Sequence, residues 1–385
     1  MNAACLRRDG VIAASLTPAG RWLFAVFAAW ALPAGAQPRP IVIGQTVVHS
    51  GPLAELSAAP EQGIRALLHQ VNAAGGLRGR PLLLKQLDDG YDAARAAANV
   101  RQLARDGAVA ILMPIGTASS EGALQAANAV GLPLVGPYSG AASLRNFTAQ
   151  GFQVRASFDD EYRRIVQHLM TIGLRRIAFA HNDNPGARSA RDGTRRSIEA
   201  LGGTLLGSVA VRNDASDAGE QARRLAALAP QVVVLSMSNA VAAAFIAAYR
   251  ATAAPAQFYS FSFLDGRALH QRIAGAATGV VISQVVPYPW NAGLPLVAEY
   301  QSAMRQLGSS DVGYGSLEGY INAKVLVEGL RRAGPELTPA ALKAALEGLR
   351  AFDLGGITLD YGPTRHNGLG FSELTMIRSD GGHAK

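Results

Sequence analysis

Short apolar runs alternate with amphipathic stretches along most of this chain. That is the pattern of parallel strands buried on both faces of a sheet and joined by helices. Ile41–Val47 reads as a first strand, and a helical region from Glu61 to Ala73 follows, closed by Gly75-Gly76. Leu82–Leu87 is the next strand, Asp88-Asp89-Gly90 a turn and Ala93–Arg105 a helix with apolar positions at helical spacing. Two strand-to-turn junctions then come in succession. Ala108–Met113 runs into a polar turn where Thr117, Ser119 and Ser120 are N-cap residue types ahead of an Ala-rich helix to about Ala129. Leu132–Val135 runs into a second turn, Pro137–Ala142, made of small residues and hydroxyls. Either turn alone reads as ordinary capping. Together, on neighbouring parallel strands, they would aim donors into one crevice and favour an anion there.

The alternation begins again at a strand over Phe152–Arg155. Helices are expected over Asp159–Ile172, Ala187–Leu201, Ala218–Ala229 and Asn239–Ala251, and strands over Arg176–Ala180, Thr204–Val211, Val232–Leu235, Gln257–Phe261 and Gly279–Gln284. This second full set of elements predicts a second lobe. Val285–Trp290 holds two prolines and fits a linker between lobes better than a central strand. Three helices (about Leu294–Leu307, Gly315–Ala333 and Pro339–Leu349) and two late strands (Ile357–Leu359 and Phe371–Ile377) are too few for a domain. They are expected to return and complete the lobes already built. The fold class is α/β, with two doubly wound parallel-sheet lobes.

Length and composition agree: 385 residues, 49% of them hydrophobic, suffice for two cores. The N-terminus has a different pattern. Arg7, Arg8 and Arg21 precede the apolar run Trp22–Leu32, too short to span a bilayer, and Ala34-Gly35-Ala36 supplies the small residues of a cleavage site. Residues 1–36 are expected to be a signal peptide on the general export route, with Gln37 the first mature residue. The single cysteine, Cys5, falls inside it, so the mature chain has no disulfide, thiolate metal site or cysteine nucleophile. Beyond Ala36 no segment approaches eighteen apolar residues without a charge. Without the leader's three basic residues and Asp9, 36 Lys+Arg and 28 Asp+Glu fall to 33 and 27, a net charge of +6. The basic residues are scattered, as on a solvated surface, and do not point to nucleic acid.

No HExxH, GxSxG, Walker A or GxGxxG sequence occurs in the mature chain, and the histidines lack metal-ligand spacing. No metal, no cofactor and no enzymatic reaction are expected. His49, before the loop Ser50–Glu55, either reaches a ligand or is a hydrogen-bonded surface imidazole. Tyr288 and Trp290 either stack on a ligand or pack the linker, and Trp290 is the better ligand candidate because pockets are lined mainly by apolar and aromatic side chains. Glu318 and Tyr320, on the long C-terminal helix, are expected to be interior contacts near the cleft.

Across Ile41–Ile377 the chain resembles the type I periplasmic solute-binding proteins of ABC transporters, in the branch of branched-chain amino-acid receptors. The residues that carry the resemblance are SGPLAE at Ser50–Glu55, NAAGGLRGRPLLL at Asn72–Leu84, the paired turns with GPYSGAASLR, SQVVPYPW at Ser283–Trp290 and SLEGYINAKVLVEGLRRAG at Ser316–Gly334. The resemblance implies two lobes joined by three crossings, near Ala156, near Val285 and near Gly362–Asn367. It assigns 37–156 with 285–362 to the first lobe and 157–284 with 363–385 to the second. It further implies a soluble, monomeric periplasmic protein that captures a small carboxylated solute, an amino acid or related organic acid, for an inner-membrane ABC permease. The alternative is a periplasmic ligand sensor that docks on a separate receptor.

Carried over position by position, Thr117 supplies a hydroxyl for the ligand carboxylate, with Tyr138, Ser139 and Gly140 in the second turn. Gly140 stands about where the receptors carry a hydroxyl, and Ser139 is adjacent to replace it. Leu56 takes an aromatic contact position, and Pro185 replaces the aromatic before Gly186. Asp265 is the candidate partner for a ligand ammonium and equally an N-cap for a helix at Arg267. These departures bear against branched-chain amino acids as the ligand and leave the carboxylate end in place.

Overall fold

The computed structural model describes residues 39–51 and 53–385. The expected leader, its cleavage site and Cys5 lie outside the described residues. The first sheet begins with β1 (Ile41–Val47), crosses through α1 (Ala58–Ala73) to β2 (Leu82–Asp88), and through α2 (Ala93–Arg105) to β3 (Ala108–Leu112). α3 (Thr117–Val130), β4 (Leu134–Val135) and β5 (Gly151–Phe152) complete it. The order is β2-β1-β3-β4-β5, with every pair parallel.

The second sheet follows the same logic. α4 (Phe158–Thr171) leads to β6 (Arg176–Asn182), α5 (Pro185–Ala200) to β7 (Thr204–Val211) and α6 (Ala218–Ala226) to β8 (Val232–Ser236). α7 (Asn239–Arg250), β9 (Gln257–Ser260), α8 (Gly266–Ile273) and β10 (Val281–Gln284) follow. Side chains start several of these helices where the sequence offers them. Asp92 caps α2, Asn184 caps α5 with Pro185 in its first turn, and Ser157 and Asp160 form a reciprocal capping box on α4.

The chain then supplies α9 (Pro295–Gln306), α10 (Tyr314–Arg332) and α11 (Pro339–Glu347), a short hairpin of β11 (Phe352–Asp353) and β12 (Thr358–Leu359), and finally β13 (Glu373–Ile377) and β14 (His383–Ala384). The late strands depart from expectation. The one predicted near Ile357–Leu359 pairs in its own hairpin. β13 adds antiparallel to β10 and β14 antiparallel to β13, so the second sheet, ordered β14-β13-β10-β9-β8-β6-β7, is parallel except at one edge. An antiparallel edge needs no crossover helix, and none lies between β13 and β14. The strand predicted over Phe152–Arg155 ends at Phe152, because beyond it the backbone pairs with the segment 366–368: Gln153 N–H donates to His366 C=O, and Gly368 N–H to Gln153 C=O.

α1 packs on α10, and with α9 and α11 they cover one face of the first sheet. A second apolar cluster holds residues of both halves, from Val100, Ala123 and Leu144 to Phe158, Ile165 and Val234. A third lies under α6, α7 and α8. Parallel strands in both sheets end toward the same crevice, where the loops after β1, β3, β6, β8 and β9 meet.

Candidate functional site

The two turns singled out in the sequence adjoin. Ile115 bridges to Tyr138, Gly116 N–H donates to Tyr138 C=O at 3.1 Å, and Tyr138 N–H to Pro114 C=O at 2.8 Å. This zipper sets the Thr117 and Ser139 hydroxyls 2.9 Å apart, both buried. Gly140 follows with no room for a side chain, since a Cβ there would stand 2.5 Å from the Phe158 ring. Just before the first turn, Met113 adopts φ +46°, held by Gln45, whose amide donates to the Met113 carbonyl at 3.0 Å.

α3 begins differently from expectation. Its N-cap is Gly116, at φ +78° and with no side-chain cap, while Thr117, Ser119 and Ser120 lie inside the first turn. Ser119 donates instead to the Asp89 carboxylate at 2.7 Å, and Ser120 to the Pro114 carbonyl at 3.2 Å. The free N–H groups at the helix start therefore stay open. Tyr91 lies over this start: its ring presses on Gly116 and its hydroxyl lies beside the backbone N–H groups of Ala118 and Thr117. Tyr91 itself sits at φ +67°, its N–H donating to Asp89 at 2.8 Å. Burial pushes its phenol up from the ordinary tyrosine range, so it keeps its proton to donate.

Around Tyr91 and Thr117 the two lobes enclose a chamber of about 440 Å³, counted to its open mouth. Leu53 and Leu56 wall it from the first lobe; Phe158, Met237, Phe261 and Phe263 wall it from the second. Asn182, Asn184, Ser236 and Ser238, on loops at the strand ends, contribute its other polar groups. Inside the chamber Gly186 lies close against the first turn: a Cβ on it would stand 2.5 Å from the Thr117 hydroxyl.

Leu56 and Phe263 also face a second, more polar cavity of about 1030 Å³, which Tyr138, Asp265, Glu55, Arg267 and Asp311 line. Tyr138 packs on Phe263 at 4.7 Å between ring centroids. Asp265 caps α8, accepting from Ala268 N–H at 2.8 Å, and opens onto this cavity rather than the chamber. Trp290 is brought to neither. It stacks with His383 at 5.7 Å, packs edge-on against Tyr288 and Tyr314, and lines an outer cavity of about 930 Å³; these contacts match packing of the linker. His49 hydrogen-bonds Glu61 at 2.5 Å near the surface.

Beneath Phe263 lies a group of charges at the first crossing. Arg155 is buried between Glu161 of α4, at 2.9 Å, and Glu318 of α10, at 3.4 Å. Its guanidinium lies 4.8 Å from the Phe263 ring centre. Ser262 N–H donates to Glu161 at 2.9 Å, and Arg145 donates to the carbonyls of Arg155 and Ala156 at 2.9 and 3.0 Å. Burial pushes the Glu318 carboxyl up to about 7, although Arg155 pulls it down. Glu318 and Tyr320 are interior, as their helical spacing led us to expect.

Tyr91, Asn182, Asn184, Phe263 and Arg155 are the structural members that sequence reasoning missed. Only Asn184-Pro185 carried a local signal, the N-cap followed by proline. The others are assembled by chain segments far apart in sequence.

A family model described as "Periplasmic binding protein" matches residues 40–382. Among solved structures, a substrate-binding periplasmic protein from Ralstonia solanacearum is 30% identical, with a TM-score of 0.83 over 89% of this chain and 99% of that one. A possible leucine/isoleucine/valine-binding protein from Rhodopirellula baltica SH 1 is 28% identical, with a TM-score of 0.82 over 89% and 95%. A branched-chain amino acid ABC transporter protein from Thermus thermophilus with bound valine shares the fold at 15% identity, with a TM-score of 0.81 over 90% and 95%. No curated protein matches the sequence.

Proposed function

We propose, from the premise that this chain belongs to the type I periplasmic binding protein family, that it is the substrate-binding component of an ABC importer and captures a small carboxylated solute between its lobes. The lobes of this reading comprise residues 37–156 with 285–362, and 157–284 with 363–385. The supporting observation is the chamber at the strand ends, where the Thr117–Ser139 hydroxyl pair and the start of α3 meet the loops of the other lobe. A carboxylate there faces the Tyr91 O–H, which burial keeps protonated, with the helix dipole adding to the attraction. The protein acts as a monomer in the periplasm, releases its ligand unchanged and hands it to an inner-membrane permease.

A thermal-shift panel of amino acids, aromatic acids and dicarboxylates tests this, because a ligand held at about 100 Kd adds roughly 2.7 kcal/mol of stability. Ligand recovered after denaturation should have its original mass. Stabilisation by no carboxylate in the panel, or recovery of a converted product, would overturn the reading.

A further inference from the structure

Resting on that reading, we propose that the chamber selects a monocarboxylic acid with a compact apolar body and no ammonium group, in preference to an α-amino acid. Three observations support this. First, none of the described residues lining the chamber carries a charge. An ammonium moved from water into such a site keeps its desolvation penalty without an anion to offset it.

Second, the side-chain carbonyls that an ammonium would approach each already accept a backbone N–H. Asn182 Oδ1 accepts from Ser238 N–H at 2.7 Å, and Asn184 Oδ1 from Ala187 N–H at 2.9 Å. What the polar groups have left to offer a ligand is mostly donors: the Asn184 amide N–H groups, the Tyr91 O–H and one proton of the Thr117–Ser139 pair. Donors suit an acid.

Third, the nearby carboxylates face away. Asp265 opens onto the polar cavity and caps α8, while Glu161 and Glu318 are drawn to Arg155, whose guanidinium lies against the Phe263 and Phe158 rings at 4.8 and 5.9 Å. Those rings stand as the chamber wall. The remaining surface is apolar, walled by Leu53, Leu56, Met237 and Phe261, and suits a compact apolar body.

Matched pairs test the inference by titration calorimetry on the mature protein: 3-phenylpropanoate against phenylalanine, and 4-methylpentanoate against leucine. In each pair the acid is expected to bind at least tenfold more tightly, and 3-phenylpropanamide at least tenfold more weakly than its acid. Amino acids that bind as well as or better than their des-amino partners would overturn the inference and leave the carboxylate reading intact. Silence from all four carboxylates would overturn the carboxylate reading itself and the inference with it. Ser238→Asp, at the N-cap of α7 where an acidic side chain is tolerated, places an anion in the wall and should shift the preference toward the amino acids by at least tenfold. An unchanged preference in a folded Ser238→Asp protein would show that the ligand does not occupy this chamber.

Discussion

Tyr91 and Thr117 share one task at the start of α3. Because Gly116 provides no capping side chain, the first N–H groups of the helix stay open, and the phenol from the loop after β2 lies beside them. Tyr91→Phe keeps the ring but removes a donor for the ligand and the polar atom beside the helix start. It should weaken carboxylate binding tenfold to a hundredfold, the loss of a bond to a charged group of about 1.5–3 kcal/mol, and lower stability by about 1 kcal/mol. Thr117→Val keeps its shape and should weaken binding similarly. Calorimetry on both variants checks this, and wild-type affinity in both would place the carboxylate elsewhere.

The helices meet closely where small residues allow it. A Cβ on Gly63 of α1 would stand 1.7 Å from the Ser316 carbonyl oxygen of α10, and one on Gly319 of α10 2.0 Å from the Pro60 carbonyl oxygen. On an isolated helix Gly63→Ala would gain about 1 kcal/mol. Here the backbone contact outweighs that gain, and a net loss of about 2 kcal/mol is expected. Gly219 in α6 meets only the end of the Arg223 side chain, 3.6 Å away, so Gly219→Ala should stabilise by about 0.5 kcal/mol. Urea midpoints that moved in the same direction for both would contradict this packing.

The charged group at the first crossing links α4, α10 and the loop after β9. The folded protein holds the Glu318 proton up to about pH 7, above the ordinary value of 4.5 for the unfolded chain. Between those values the folded state binds more protons, so this group's contribution to stability falls as pH rises from about 4.5 through about 7. Glu318→Gln abolishes that titration. Its melting temperature should decline less than that of the wild type between pH 5 and 7.5. Parallel profiles would show that the carboxyl titrates at its ordinary value.

For the whole molecule, the proposed function requires the lobes to close on the ligand. Three chain passages join the lobes, and two of them are hydrogen-bonded to each other through Gln153, His366 and Gly368. Rotation there is expected to be a concerted hinge rather than free swivelling. Small-angle scattering should show a smaller radius of gyration with ligand. Gly186→Ala inserts a methyl group against the Thr117 hydroxyl inside the chamber. It should leave each lobe folded, weaken ligand binding about tenfold and reduce the compaction. Full compaction with unchanged affinity would show that this contact does not limit closure.

The alternation of buried strands and amphipathic helices was legible along the chain because both periodicities are local; the capping of α5 by Asn184-Pro185 has an equally local signal but was passed over. The paired turns were legible too, since each strand end and its polar turn are contiguous, and they do meet through Ile115 and Tyr138. The antiparallel return of β13 was not legible: five apolar-rich residues suit either direction, and only the third passage decides which way they enter the sheet. Nor could sequence tell that Gly116, rather than Thr117 or a neighbouring serine, caps α3, because the Ser119 and Ser120 hydroxyls are drawn to Asp89 and the Pro114 carbonyl, and Asp89 comes from a loop some 30 residues earlier. The sequence by itself determined the elements, the two lobes and the small hydroxyl-bearing turns. Tertiary structure alone decided that Asp265 opens on a separate cavity and Trp290 on the outside, and that Phe263 walls an uncharged chamber. Charge and ring placement depend on which distant segments the hinge brings together, and no local pattern records that.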